Sequence, residues 1–323
     1  MSFADNRLLS ALFGDHDRHL AQIEQKLGVS LTPRGNRVAI IGTPDNQGVA
    51  RDVLNSLYAR LLQGQEVGTG DVDGALRMTV AKAGGGADGG RETPVIRTKK
   101  RQITPRSPTQ NLYVSELNKH ELVFGIGPAG TGKTYLAVAV AVNMLLSGRV
   151  DRIILSRPAV EAGERLGFLP GDMRDKIDPY LRPLYDALYD MLPADQVVKG
   201  LENGEIEVAP LAFMRGRTLS NAFVIVDEAQ NTSPVQMKML LTRLGENSRM
   251  VVTGDMSQID LPIGVPSGLR DALNILKDVE GVSFVRFTDV DVVRHPMVTK
   301  VVRAYQARDR DLGLEAHDGT SQK

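Results

Sequence analysis

Leu122-Val123-Phe124-Gly125-Ile126 runs directly into Gly127-Pro128-Ala129-Gly130-Thr131-Gly132-Lys133-Thr134, and an apolar stretch from Leu136 to Leu146 follows. The first five residues read as a short buried strand. The octet fits the phosphate-binding pattern G-x-x-x-x-G-K-[ST], and the spacing after it predicts a helix from Lys133 to Leu146. Each residue type has a physical reason to be there. Glycines let successive backbone N–H groups turn inward around phosphate oxygens, and the start of the helix adds the positive end of its dipole. Lys133 reaches the β- and γ-phosphates, and the Thr134 hydroxyl is placed to ligate Mg²⁺. Gly127, Pro128, Ala129, Gly130, Thr131, Gly132, Lys133 and Thr134 are therefore the candidate nucleotide cradle. A chance glycine turn would lack the strand before it and the helix after it.

Working outward, further apolar strands are expected at Arg152–Leu155, Ala222–Val226, Met250–Thr253 and Val282–Val285. Continuous apolar strands separated by helical segments predict an α/β fold with a parallel sheet covered on both faces. The second of these strands ends in Asp227-Glu228. Beside a phosphate-binding loop, Asp227 would hold Mg²⁺ through water, and Glu228 would orient and deprotonate an attacking water. The next strand ends in Thr253-Gly254-Asp255-Met256-Ser257-Gln258. Asp255 and Gln258 would lie beside Asp227 and sense the γ-phosphate, unless Gly-Asp is merely a turn pair. Gln110, just upstream of the first core strand, is either a reader of the adenine edge or a surface amide.

Composition narrows the class. The 323 residues suggest about two domains, and 42% hydrophobic content is enough to build cores. Lys plus Arg equal Asp plus Glu at 39 each, which argues against attachment to nucleic acid by bulk charge while leaving local basic patches open. No cysteine is present, so disulfides, thiolate zinc sites and cysteine nucleophiles are excluded. Neither a leader nor a membrane-spanning run is legible: Leu136–Leu146 is interrupted by Asn143, and Asn231-Thr232-Ser233 reads as a chance glycosylation match. The expectation is a cytoplasmic protein with no membrane partner.

Residues 1–83 are expected to form a small α+β domain, ordered helix, strand, turn, strand, helix, with Val38–Ile41 as a strand and Val49–Leu62 as an amphipathic helix. Residues 84–106 read as a linker, glycine-rich at Gly84–Gly90 and basic from Arg97 to Arg106. That basic stretch is either a solvated hinge or a contact to a phosphate backbone. The linker predicts that the following core, residues 107–307, is an independent unit. A polar tail, 308–323, is expected to be disordered.

Gly127–Thr134, the segment Arg157-Pro158-Ala159-Val160-Glu161-Ala162-Gly163-Glu164 with Leu166–Gly171, Asp227-Glu228-Ala229-Gln230-Asn231, and Thr253–Gln258 together resemble the PhoH-like ATPases. These are relatives of superfamily 1 helicases that keep one RecA-like core, and the match spans roughly Ser107–Tyr305. The resemblance implies ATP and Mg²⁺ as cofactors and a role in RNA metabolism as an RNA-dependent ATPase or helicase. It also implies functional linkage to a ribosome-maturation endoribonuclease. The alternative is an ATP-operated switch or assembly factor for that nuclease or for the ribosome, without translocation. The N-terminal domain resembles a KH-like RNA-binding module, yet its nearest candidate clamp, Gly14-Asp15-His16-Asp17, has one glycine and two acids, so docking of a protein partner is equally open.

Arg157 follows the second strand, which by the resemblance is near where helicase relatives contact single-stranded nucleic acid; the alternative is a buried or surface-paired arginine. Arg294 is the leading candidate for an arginine finger, with Arg157 second, while the neighbouring His295 has no cluster to make it a metal ligand. Superfamily 1 helicases close two cores on one ATP, and this chain has room for one. The resemblance therefore implies a homo-oligomer, favoured as a hexameric ring with ATP at the subunit boundaries.

Overall fold

In the computed structural model, residues 1–84, 93–158, 173–262 and 264–293 are described, with five more positions among 297–308 and only the backbone of 173–180. The N-terminal part begins with α1 (Leu9–Phe13) and α2 (Arg18–Leu27). An antiparallel pair, β1 (Ser30–Arg34) and β2 (Arg37–Ile41), leads into α3 (Pro44–Leu62) and α4 (Thr69–Ala83). Leu12, Leu20, Ile23, Val38, Val53 and Leu54 bury into one cluster separate from the rest of the molecule's core. The expected helix over 49–62 starts a turn and a half earlier because Pro44 at its first positions fits helical φ and needs no N–H partner. Helix α4 is an addition to the expected order. Two strands and four helices surround this core, and the likeness to a KH module stays an expectation.

The stretch expected to be linker is built differently. Its second half forms a hairpin of β3 (Ile96–Arg97) and β4 (Gln102–Ile103). Ile96 and Ile103 are buried in the main core, Lys100 Nζ donates to Tyr189 O at 2.7 Å, and Arg101 pairs with Asp190 at 2.6 Å. The basic run is thus partly consumed in fastening the hairpin, for the physical reason that its two isoleucines have apolar surface to bury. Residues 85–92 and the tail from 309 lie outside the described residues.

The core then follows: α5 (Pro108–Lys119), β5 (Leu122–Ile126), α6 (Lys133–Leu146), β6 (Arg152–Arg157), α7 (Met173–Met191), α8 (Ala194–Asn203), β7 (Ile206–Pro210), β8 (Ala222–Val226), α9 (Pro234–Leu241), β9 (Arg249–Gly254), α10 (Gly268–Ile275) and β10 (Val282–Arg286). The six-stranded sheet has the order β10-β5-β9-β8-β6-β7. Every neighbouring pair is parallel, as expected for apolar strands alternating with helices.

Alternation along the strands feeds two faces. Val123, Ile153, Phe223, Ile225 and Val251 pack under α5–α8, while Phe124, Ile154, Val224, Met250 and Val252 pack under α9 and α10. This is an α/β core of the RecA-like kind, with β9 inserted between the strand that enters the glycine loop and the strand that ends in two acids. The chain leaves β5 toward β6 and returns to the other side of β5 as β10. A crevice therefore opens at the carboxyl ends of the strands, where ligands bind in such sheets.

Candidate nucleotide site

Strand β5 delivers Gly127 with φ of 146°, and an added Cβ there would stand 2.4 Å from Phe287 O. Only glycine fits this entry to the loop. Gly130 and Gly132 also have positive φ, so the loop curls and α6 starts with Lys133. Lys133 is buried, and its ammonium donates to Gly127 O at 2.6 Å and Pro128 O at 2.8 Å, which places the charge inside the loop.

The acids of β8 meet this loop from the next strand but one. Thr134 Oγ1 donates to Asp227 Oδ1 at 2.6 Å, and Thr253 Oγ1 from β9 donates to the same oxygen at 2.7 Å. Hydroxyl and carboxylate are both hard oxygen ligands suited to Mg²⁺, and they converge on one point at the start of α6. Glu228 follows in the left-handed region, φ 53°, where a non-glycine residue carries strain of about 1–3 kcal/mol. Two contacts hold it there. Gln230 Nε2 donates to its Oε2 at 2.6 Å, and Arg157 Nη2, at the end of β6, lies 3.4 Å from its Oε1.

Asp255 sits at the end of β9, between the two. Its Oδ2 accepts from the loop amide of Ala129 at 3.2 Å and from Gln258 Nε2 at 2.7 Å, while Oδ1 accepts from Ser257 N and Oγ. Asp255 thus fastens the loop to the neighbouring strand end and holds the exposed Gln258 in place. A cavity of about 240 Å³ is bounded by the loop, Asp227, Glu228, Asp255 and Gln258. A larger cleft of about 990 Å³ between α3, α4 and the approach to α5 has neither a glycine loop nor a strand-end acid pair, so size does not pick out the site.

Of the two readings open to Gln110, the surface amide is excluded. It is 4% exposed, its Oε1 accepts from Arg106 N at 2.7 Å, and its Nε2 donates to Thr131 O at 2.9 Å. Both ends of the amide are used by the protein, and the side chain props the loop from outside. Arg294, His295 and most of the Arg157–Gly171 segment beyond Pro158 lie outside the described residues. Sequence reasoning missed Gln230. It is fully buried, and besides holding Glu228 it donates to Gln258 O and accepts from Asp255 N. The only sequence signal was a polar residue two positions after the acids, where a buried amide must satisfy several partners.

Two tyrosines flank the loop. Burial pushes the Tyr113 phenol far above its ordinary range, and the nearby Asp227 charge adds to this. Tyr135, in the first turn of α6, is pushed up to about 12 by burial and by donating to Asp190 Oδ2 at 2.7 Å.

A glycine loop closed on a buried lysine, a hydroxyl–carboxylate pair at the helix start and a second acid on the same strand end define a P-loop NTPase. The sequence model of the family described as "PhoH-like protein" matches residues 102–306. A PhoH-like protein of Bacillus subtilis is 49% identical over 93% of this chain and 94% of its own length. One from Mycobacterium tuberculosis is 49% identical over 92% of this chain and 85% of its own. Protein PhoH of Escherichia coli is 48% identical over 63% of this chain and 58% of its own. The chain belongs to the PhoH-like family. Among solved structures, a Pif1 helicase from Candida albicans aligns over 62% of this chain and 43% of its own at 13% identity with a TM-score of 0.34, too loose to argue from. Among the described residues, no helix is long and apolar enough to cross a membrane.

Proposed function

We propose that this protein hydrolyses ATP and uses the energy on RNA. The observation that carries the first half is the convergence of Thr134 and Asp227 at 2.6 Å, with Glu228 one residue further on the same strand end. Thr134 and Asp227 would hold Mg²⁺, which when bound neutralises phosphate charge. Lys133 and the loop amides bind the β- and γ-phosphates. Glu228 takes a proton from water as its oxygen bonds to the γ-phosphorus; the bond to the ADP oxygen breaks, and ADP leaves with that electron pair. Asp255 and Gln258 link the γ-phosphate end of the pocket to β9.

RNA as the polymer is favoured by the family resemblance and by Arg97 and Lys99 of the β3–β4 hairpin, both of which are exposed. The single core favours a homo-oligomeric ring in which a neighbouring copy supplies Arg294 to the γ-phosphate. A cation so placed is worth ~10³–10⁵ in rate. The test compares Lys133→Ala and Glu228→Gln with the parent protein. Loss of ATP binding is expected in the first. Retained binding is expected in the second, with turnover reduced ~10²–10⁴-fold. Stimulation of the parent's ATPase by single-stranded RNA is expected as well. Normal hydrolysis by Glu228→Gln refutes the base, and absence of RNA stimulation refutes the polymer in favour of an assembly factor.

A further inference from the structure

The outer side of the phosphate loop is held by two hydrogen-bonded chains that both end on helix α4 of the N-terminal part. In the first, Gln110 Nε2 donates to Thr131 O at 2.9 Å, and Arg106 N donates to Gln110 Oε1 at 2.7 Å. The Arg106 guanidinium then pairs with Asp71 of α4 at 3.2 Å, and Asp71 is held in turn by Arg60 of α3 at 3.4 Å. In the second, Val293 N donates to Gly130 O at 2.9 Å, and Arg77 of α4 donates from Nη2 to Val292 O at 3.2 Å. Among the described residues Arg77 Nη1 is buried with no hydrogen-bond partner, so the side chain is committed to this position at a desolvation cost.

Helix α4 is shaped for the contact. Gly70 and Gly74 lie one turn apart on it, and an added Cβ would stand 3.1 Å from Arg106 Nη1 in one case and 3.1 Å from Arg106 Cβ and Cγ in the other. Two glycines cost a helix about 1 kcal/mol each relative to alanine. Here they let Arg106 lie directly against the helix backbone.

The geometry points to a function for this arrangement. A trans peptide is planar, with the carbonyl of one residue and the N–H of the next pointing opposite ways. Gly130 O and Thr131 O are drawn outward by Val293 and Gln110, so the N–H groups of Thr131 and Gly132 are turned to the inner side of the loop. Those are the donors a phosphate needs. We propose that the N-terminal part is a clamp on the phosphate loop, with Asp71 and Arg77 as positioning residues, and that its docking and nucleotide binding are coupled. The inference rests on the nucleotide-binding reading above. Coupling of this kind is reciprocal: whatever the clamp adds to nucleotide affinity, nucleotide returns to the docking of α4.

The test uses the full chain and a fluorescent ADP derivative. Asp71→Ala and Arg77→Ala are expected to raise its Kd about fivefold or more, with kcat for ATP changing less than twofold and KM rising with Kd. Asp71→Glu should recover most of the loss. Gly74→Ala is the discriminating variant, because alanine favours the helix itself while its methyl pushes on Arg106. Thermal stability should therefore hold or rise while the nucleotide Kd increases. In the parent protein, saturating ADP should slow amide hydrogen exchange across residues 69–83. Unchanged Kd in Asp71→Ala and Gly74→Ala, or exchange in 69–83 indifferent to ADP, overturns the clamp. A parent protein that binds no ADP at all would instead overturn the nucleotide reading on which it rests.

Discussion

Arg157 Nη2 stands 3.4 Å from Glu228 Oε1, so the end of β6 supplies a cation to the acid at the end of β8. Glu228 has left-handed backbone, and without partners its side chain would sample other directions. Arg157→Ala is expected to lower kcat about threefold to tenfold, roughly the 1 kcal/mol scale of one long ion pair, with little change in KM. Arg157→Lys should fall between, since it keeps the charge and loses the fork. Steady-state ATPase kinetics check this. Equal kcat in all three proteins would remove Arg157 from the machinery.

Gln230 is the stronger support for Glu228. Truncating it to alanine removes the 2.6 Å bond to Glu228 and leaves the buried Asp255 N–H without its acceptor. We expect kcat to drop about 10–100-fold, as for loss of a hydrogen bond to a charged group, and stability to fall by about 1–3 kcal/mol. Urea unfolding and turnover measured on one preparation would show both effects. Loss of only one would mean that Gln230 serves either the base or the fold, not both.

Gly127→Ala should be barely tolerated. Its φ of 146° and the carbonyl of Phe287 at 2.4 Å from an added Cβ leave no relaxed position, and a cost of about 3 kcal/mol or more is expected. Thermal denaturation beside Gly148→Ala makes the comparison, since a Cβ on Gly148 meets nothing within 4 Å and only its positive φ counts against it.

Ile103→Ala distinguishes a packed hairpin from a linker. The side chain is 7% exposed within the main core, and its truncation should cost about 2–5 kcal/mol. A linker residue would cost almost nothing.

Tyr135 sets a pH dependence. Its folded pKa, about 12, is above the ordinary value of 10.0, so its neutral form contributes stability that is whole below pH 10 and lost as pH rises toward 12. The stability advantage of the parent over Tyr135→Phe should shrink across that window in urea titrations. A constant difference would show that the phenol ionises without consequence.

A feature is legible in the sequence when a residue's partner is nearby in the chain or lies in a recognisable pattern. Strands β5, β8 and β9 are legible because burial on both faces leaves them almost wholly apolar. Strand β7 is not: at the sheet edge, Ile206-Glu207-Val208-Ala209-Pro210 carries an acid that pairs with Arg217 and a proline that a central strand would reject. Helix α4 is hidden by the glycines that its contact with Arg106 requires. Thr134 and Asp227 meet across the sheet, yet each lies in a motif whose chemistry implies the other. Asp71, Arg77, Gln110 and Gln230 act through scattered hydrogen bonds, several to distant parts of the chain, which leave no periodicity to detect.

The sheet order also has a consequence for how the molecule comes into being. β5 is the first core strand to be synthesised, and its two neighbours, β9 and β10, are the last. A growing chain therefore carries an apolar strand with both edges open until its final third has emerged, and parallel pairing at such separation is slow. Truncated products that end before Arg249 would expose that strand permanently, which makes them the expected aggregating species. The glycine loop hangs from the same strand, so nucleotide can assist folding only in its closing steps.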